Sequence, residues 1–142
     1  MEQLLEFIGN HPYLWVGFAV VVVLLVKAEY EHRTNRFEQV SPVNAIRVIN
    51  NSDNAVIVDV RDSGAYKKGH IKGAINVPLS QLKDRQDTLS PEKDAPVLVC
   101  CNSGATSSKA SRMLSQAGYT NVHNIAGGIN GWMDANLPVS KK

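Results

Sequence analysis

Cysteine is scarce in this chain: there are two in 142 residues, Cys100 and Cys101, and they are neighbours. An adjacent pair gives no disulfide framework, because bridging neighbours demands unusual geometry. It also lacks the two-residue spacing that turns both thiols toward one metal ion, and the four histidines are scattered. No metal site and no cofactor are expected. Unpaired thiols suit a reducing compartment. Dense basic runs are missing too: with a formal charge of +2 and dispersed cations, the chain offers no electrostatic footprint for nucleic acid. Internal repeats and low-complexity stretches are absent, and no Lys or Arg precedes Lys27.

That last absence bears on the amino-terminal segment. Tyr13 to Val26 reads Tyr-Leu-Trp-Val-Gly-Phe-Ala-Val-Val-Val-Val-Leu-Leu-Val, without a charge. The Leu4–Pro12 stretch before it and Ala28 after it bring the span to about 20 residues, with Lys27 snorkelling. A continuous valine run has no polar face, which excludes an ordinary amphipathic surface helix. A cleaved signal peptide would want a basic leading region and a small-residue cleavage site, whereas Glu2 and Glu6 lead and Lys27-Ala28-Glu29-Tyr30 follows. A buried core helix is superfluous to a domain that reads as complete. We expect a single-pass anchor within residues 1–28, spanning about Leu5 to Val26. Lys27, Arg33 and Arg36 follow the span, so the positive-inside rule places the rest of the chain in the cytoplasm.

Residues 29–36 are polar and predict a short tether; residues 37–142 form the domain. Its predicted strands are Phe37–Val40, Ala55–Val60, Ala74–Val77, Pro96–Cys100 and Asn121–Ile125. Between them lie predicted helices. One is capped by Ser41-Pro42, with Val43, Ile46, Val48 and Ile49 facing inward. Others cover about Asp62–Lys68, Leu79–Leu89 with Leu79, Leu82 and Leu89 inward, Ser107–Ala117 and Ile129–Asn136. Alternating strands and helices, with two strands apolar throughout, argue an α/β sandwich around a mainly parallel sheet.

Cys101 carries the chemistry. The apolar run Pro96–Cys100 delivers it into a polar loop, Cys101-Asn102-Ser103-Gly104-Ala105-Thr106, that opens into a helix. Free backbone N–H groups and the positive end of a helix dipole favour thiolate over thiol there, and the thiolate is the reactive form. Small residues let the backbone curl round whatever sits on the sulfur. Free cysteines are otherwise small apolar fillers, and that reading fits Cys100, inside the strand.

Four blocks in order resemble the rhodanese-like sulfurtransferase family: Val58-Asp59-Val60-Arg61, Gly69-His70-Ile71-Lys72-Gly73-Ala74-Ile75-Asn76-Val77-Pro78, the Cys101–Thr106 loop, and Gly127-Gly128-Ile129 with Trp132. The match covers Phe37 to about Leu137. It implies a rhodanese-like three-layer sandwich, here of the membrane-anchored, single-domain bacterial type, and hence an inner-membrane protein. Cys101 would be the nucleophile that takes sulfane sulfur from a donor, becomes a persulfide and passes the sulfur to a thiophilic acceptor. The backbone of Asn102, Ser103, Gly104, Ala105 and Thr106 would cradle the outer sulfur. Partners would be a small sulfur donor, the acceptor, the lipid bilayer and a membrane protein. The family loop commonly has arginine where this chain has Asn102, which weakens its hold on an anionic donor such as thiosulfate.

Asp59 and Arg61 read as a salt bridge that props the loop, or as an Arg61 that attracts the anionic donor. His70 resembles a catalytic base, but its Gly-His-Ile-x-Gly-Ala setting is a structural turn in the family. Trp132 reads as core, and Lys109 and Arg112 as solvated. Two other functions compete. One is a catalytically weak docking module at the membrane. The other is a phosphatase, which would need a longer loop closed by arginine; none lies between Cys101 and Arg112.

Overall fold

The computed structural model describes residues 12–34 and 37–141. The chain divides into two compact units, one ending at Thr34 and the other beginning at Asn35. In the first, helix α1 (Pro12–Thr34) opens on a proline whose missing N–H costs nothing at a helix start. Its Pro12–Tyr30 stretch, 19 residues, is long and apolar enough to cross a membrane, and none of it is buried. At 1.5 Å per residue it extends about 28 Å, close to the hydrocarbon thickness of a bilayer. The polar stretch read as a tether continues this helix as far as Thr34. Neither glycine nor proline interrupts it, and Ala28, Glu29 and Glu31 are good helix formers. Residues 35–36 of that tether, and the Leu4–His11 extension of the span, lie outside the described residues.

The second unit runs β1 (Glu38–Val40), α2 (Pro42–Asn50), β2 (Val56–Asp59), α3 (Ser63–Lys68), β3 (Ile75–Asn76), α4 (Leu79–Arg85), β4 (Val97–Cys100), α5 (Ala105–Gln116), β5 (Val122–Ile125) and α6 (Gly128–Asp134). The five strands form one sheet in the order β1-β5-β4-β2-β3, every pair parallel. All their carboxyl ends therefore lie along one edge, where open α/β sheets place their sites.

Strand side chains alternate between faces, and the two cores follow that alternation. Val97, Val99 and Cys101 join Val58, Val60, Leu82, Ala110 and Leu114 on the face covered by α4 and α5. Leu98 and Cys100 join Ile57, Ala45, Ile125, Ile129 and Trp132 on the face covered by α2 and α6. This is a three-layer α/β/α sandwich, and consecutive cysteines fall in opposite layers.

Helix α2 is capped as predicted, Ser41 Oγ accepting from the Asn44 N–H at 3.3 Å with Pro42 at the first helical position. Of its predicted inner face, Ile46, Val48 and Ile49 pack half-buried against the core, but Val43 does not. Ala45 is fully buried and Val43 is 53% exposed, because two residues of helix carry a side chain about 200° round the axis. Leu82 and Leu89 are buried as predicted, but α4 stops at Arg85 and a 3-10 turn, Gln86–Thr88, leads on to Leu89.

Candidate active site

Strand β4 ends at Cys100, and Cys101 is the first residue beyond it. The helix begins earlier than its polar start predicts: α5 starts at Ala105, so Ala105 and Thr106 form its first turn and the loop proper is Cys101–Gly104. Gly104 makes this short loop feasible. It caps the helix at φ +96°, in the left-handed region that side chains resist.

The loop's outer carbonyls are already taken. The Ile129 N–H donates to Cys101 O at 2.7 Å and the Asn130 N–H to Asn102 O at 3.1 Å, both from the first turn of α6. Carbonyl and N–H of a trans peptide point opposite ways, so the N–H groups of Asn102 and Ser103 are aimed away from α6. The approach is close: a Cβ on Gly128 would lie 2.3 Å from Cys101 O.

Inside the curl, the Gly104 N–H donates to Cys101 Sγ at 3.0 Å, and Ser107 Oγ lies 3.2 Å from the same sulfur. Burial pushes the Cys101 thiol up. The Ser107 hydroxyl, then the backbone N–H groups of Ser107, Gly104 and Ser103, more than offset it, and the net direction is down. Cys100 has the opposite surroundings. Burial first and the nearby Asp59 carboxylate second push its thiol up to about 12. Both cysteines are free thiols, Cys101 only 2% exposed.

Asp59 and Arg61 form a buried bidentate pair, with Arg61 Nε donating at 2.9 Å and Nη2 at 2.6 Å; Nη2 also donates to Gly69 O at 2.7 Å. Asn76 Nδ2 donates to the carbonyls of Asp59 and Arg61, so the strand end is held on both sides. His70 stacks on Tyr66 with ring centroids 3.9 Å apart, its Nδ1 is 2.9 Å from Tyr66 O, and its backbone pairs with Ser140. These contacts tie His70 to the Tyr66 turn and to the Ser140 segment, and none of them is to Cys101. An open cavity of about 470 Å³ lies beside the loop, with Arg61, Lys68, Asn102, Asn130, Met133 and Lys141 in its wall. Asn102, Ser103, Ala105 and Thr106 are exposed, and Arg112 lies exposed along α5, well beyond the loop. Among the described residues no three His, Cys, Asp or Glu side chains converge as metal ligands.

Two residues of the sulfur's hydrogen-bond network were not singled out by sequence: Ser107, fully buried in the first turn of the loop's helix, and Asn124, fully buried in β5 and bonded to Ser107 at 2.6 Å. Asn124 stands third of the four β5 positions, all of them buried, so its amide must find partners inside the fold.

A parallel sheet that ends on a cysteine, wrapped by backbone donors and backed by a glycine-led helix, defines the rhodanese-like class, and residues 43–135 match the family model described as Rhodanese-like domain. The chain belongs to that family. Among its relatives, the uncharacterized protein YibN of Escherichia coli K12 is 32% identical over 98% of this chain and 97% of its own length, apolar helix and domain together. The thiosulfate sulfurtransferase GlpE of Actinobacillus succinogenes is 34% identical over 72% of this chain and 90% of its own. A rhodanese-related protein from Thermoplasma volcanium superposes with a TM-score of 0.66 at 28% identity, over 75% of this chain and all of that one. The chain is a rhodanese-like domain preceded by an apolar helix, and a member of a sulfurtransferase family.

Proposed function

We propose that the protein is a membrane-tethered sulfurtransferase that carries sulfane sulfur as a persulfide on Cys101. The observation that carries this is the Gly104 N–H donating to Cys101 Sγ at the start of α5, the layout that stabilises an anionic sulfur. In the first half-reaction the Cys101 thiolate attacks the outer sulfur of a donor such as thiosulfate. The donor's S–S bond breaks and sulfite leaves with the bonding pair, giving Cys–S–S⁻. The backbone donors of Asn102 through Thr106 then hold the outer sulfur. In the second, a thiophile such as cyanide or a thiolate attacks that outer sulfur, and the Cys101 thiolate departs with the electron pair and is restored. A cysteine this enclosed accepts only a slender donor end, and a terminal sulfane sulfur is one. The relative named a thiosulfate sulfurtransferase supports thiosulfate as the test donor. Asn102, uncharged at the loop mouth, points to a weaker hold on it than a loop with arginine would give. Helix α1 supplies the tether, and the basic residues that follow the span orient the domain to the cytoplasm.

The test is intact mass spectrometry of the protein after thiosulfate treatment. We expect a gain of one sulfur atom, reversed by cyanide, lost in Cys101→Ser and retained in Cys100→Ser. A gain that survives Cys101→Ser would overturn the assignment. No gain from any donor of sulfane sulfur would leave a docking module.

A further inference from the structure

The hydroxyl of Ser107 has one proton and three acceptors in reach: Cys101 Sγ at 3.2 Å, Gly104 O at 3.1 Å and Asn124 Oδ1 at 2.6 Å. Where that proton points follows from the rest of the network. Gly104 O can only accept, and it already receives the Ser108 hydroxyl at 2.8 Å and the Ser108 N–H at 3.2 Å. Asn124 Nδ2 lies 2.8 Å from Ser108 Oγ and 3.3 Å from Gly104 O. Turning the amide over would set its oxygen against that carbonyl, so its orientation is fixed, with Oδ1 toward Ser107. Between two oxygens 2.6 Å apart there must be a proton, and Asn124 Oδ1 has none. Ser107 therefore donates to Asn124 and accepts from Cys101 S–H, which is the arrangement of the neutral thiol.

When Cys101 loses its proton to solvent, the sulfur can no longer donate. Ser107 then gains by turning its proton to the anion, but the turn strips a fully buried Asn124 of the hydrogen bond at Oδ1. We propose that the Ser107 hydroxyl is a two-position proton donor at the reacting sulfur and that Asn124 is a positioning residue that competes for its proton. Asn124 thereby holds the thiolate back from being fully stabilised. For sulfur chemistry that restraint is useful, since a thiolate's nucleophilicity falls with its pKa and the best attacker has a pKa near ambient pH. The role in transfer rests on the sulfurtransferase reading; the proton competition does not.

The test is the pH dependence of Cys101 alkylation in the full-length protein in detergent, with the labelled peptide identified by mass. Ser107→Ala removes the donor and should raise the midpoint by about one pH unit, the equivalent of one modest hydrogen bond. Asn124→Leu removes the competitor and should lower it by about half a unit or more on the same scale. Ser107→Thr, which keeps the hydroxyl, should hold the wild-type midpoint. The deciding arm is the double variant: in the Ser107→Ala background, Asn124→Leu should have no further effect. A purely structural Asn124 would loosen the loop and move the midpoint up, with or without Ser107, and that result overturns the proposal. Thermal melts report folding. If the leucine variant does not fold, Asn124→Ala vacates the same acceptor and carries the same expectation. Should these midpoints behave as stated while no sulfur loads onto Cys101, the sulfurtransferase reading falls and the proton competition stands.

Discussion

Cys100 and Cys101 share a peptide bond and little else. One side chain enters the layer beneath α2 and α6, among apolar groups and close to Asp59; the other enters the curl ahead of α5. The sign of their pH effects differs accordingly. Cys100 titrates near 8.5 in the unfolded chain and is held up to about 12 when folded. Its stability contribution is complete below the lower value and is lost as pH rises toward the higher, by about 1.4 kcal/mol per pH unit. Cys100→Ala should therefore flatten the fall in unfolding free energy between about pH 9 and 11, measured by denaturant melts at each pH. Unchanged slopes would mean that the thiol is not the group responsible. Asn102 carries a second expectation at this scale. Asn102→Arg should lower KM for thiosulfate by about five-fold, the worth of one exposed charge-assisted hydrogen bond, with kcat nearly unchanged; steady-state kinetics decide it. Sequence reading separated the cysteines because a strand alternates and a loop does not. It passed over Ser107 and Asn124, since a serine at a helix start and an asparagine near a strand end are ordinary surface residues until the fold encloses them.

At the level of elements, the loop is held from outside by α6. The first turn of that helix takes up the loop's carbonyls, and Gly128 lets the two backbones approach within the space a methyl would fill. Gly128→Ala should cost about 3 kcal/mol or more, because the obstruction is backbone and the residue sits at φ +58°. Gly104→Ala meets only a tight contact, 3.2 Å to Gly127 N, together with its positive φ, and should cost about 1–2 kcal/mol. Thermal unfolding ranks the pair, and equal losses would contradict this account of the contact. Ser41-Pro42 announced the start of α2 and the continuous apolar runs announced β2 and β4, because capping and two-sided burial are local facts. The start of α5 was misplaced by two residues, since Ala105 and Thr106 are as acceptable in a loop as in a first turn. Only Gly104's left-handed conformation settles where the helix begins.

For the molecule as a whole, the prediction concerns its two units. Among the described residues every buried core residue lies beyond Asn35, whereas Pro12–Tyr30 is exposed throughout. A protein starting at residue 35 should remain folded and keep the alkylation profile of Cys101, but lose its partition into lipid vesicles. If it unfolds instead, the domain does not fold by itself and the account of two independent units fails. Orientation is tested separately: protease should spare the domain in right-side-out vesicles and digest it in inverted ones, and the reverse would overturn a cytoplasmic domain.

The strand order has a consequence for how the protein comes into being. Strand β1 pairs with β5, Glu38 opposite His123, so the first strand of the domain binds the last. During synthesis β1, three residues long, must wait unpaired until β5 has been made. At translation speeds of about 5–20 residues per second that wait is on the order of several seconds. The shortness of β1 limits what an unpaired edge can recruit meanwhile. Such long-range closure also sets a slow folding step, and it bears on the sulfur as well: Asn124 lies on that same strand, so Cys101 acquires its full hydrogen-bond network only after β5 has been made and has joined the sheet.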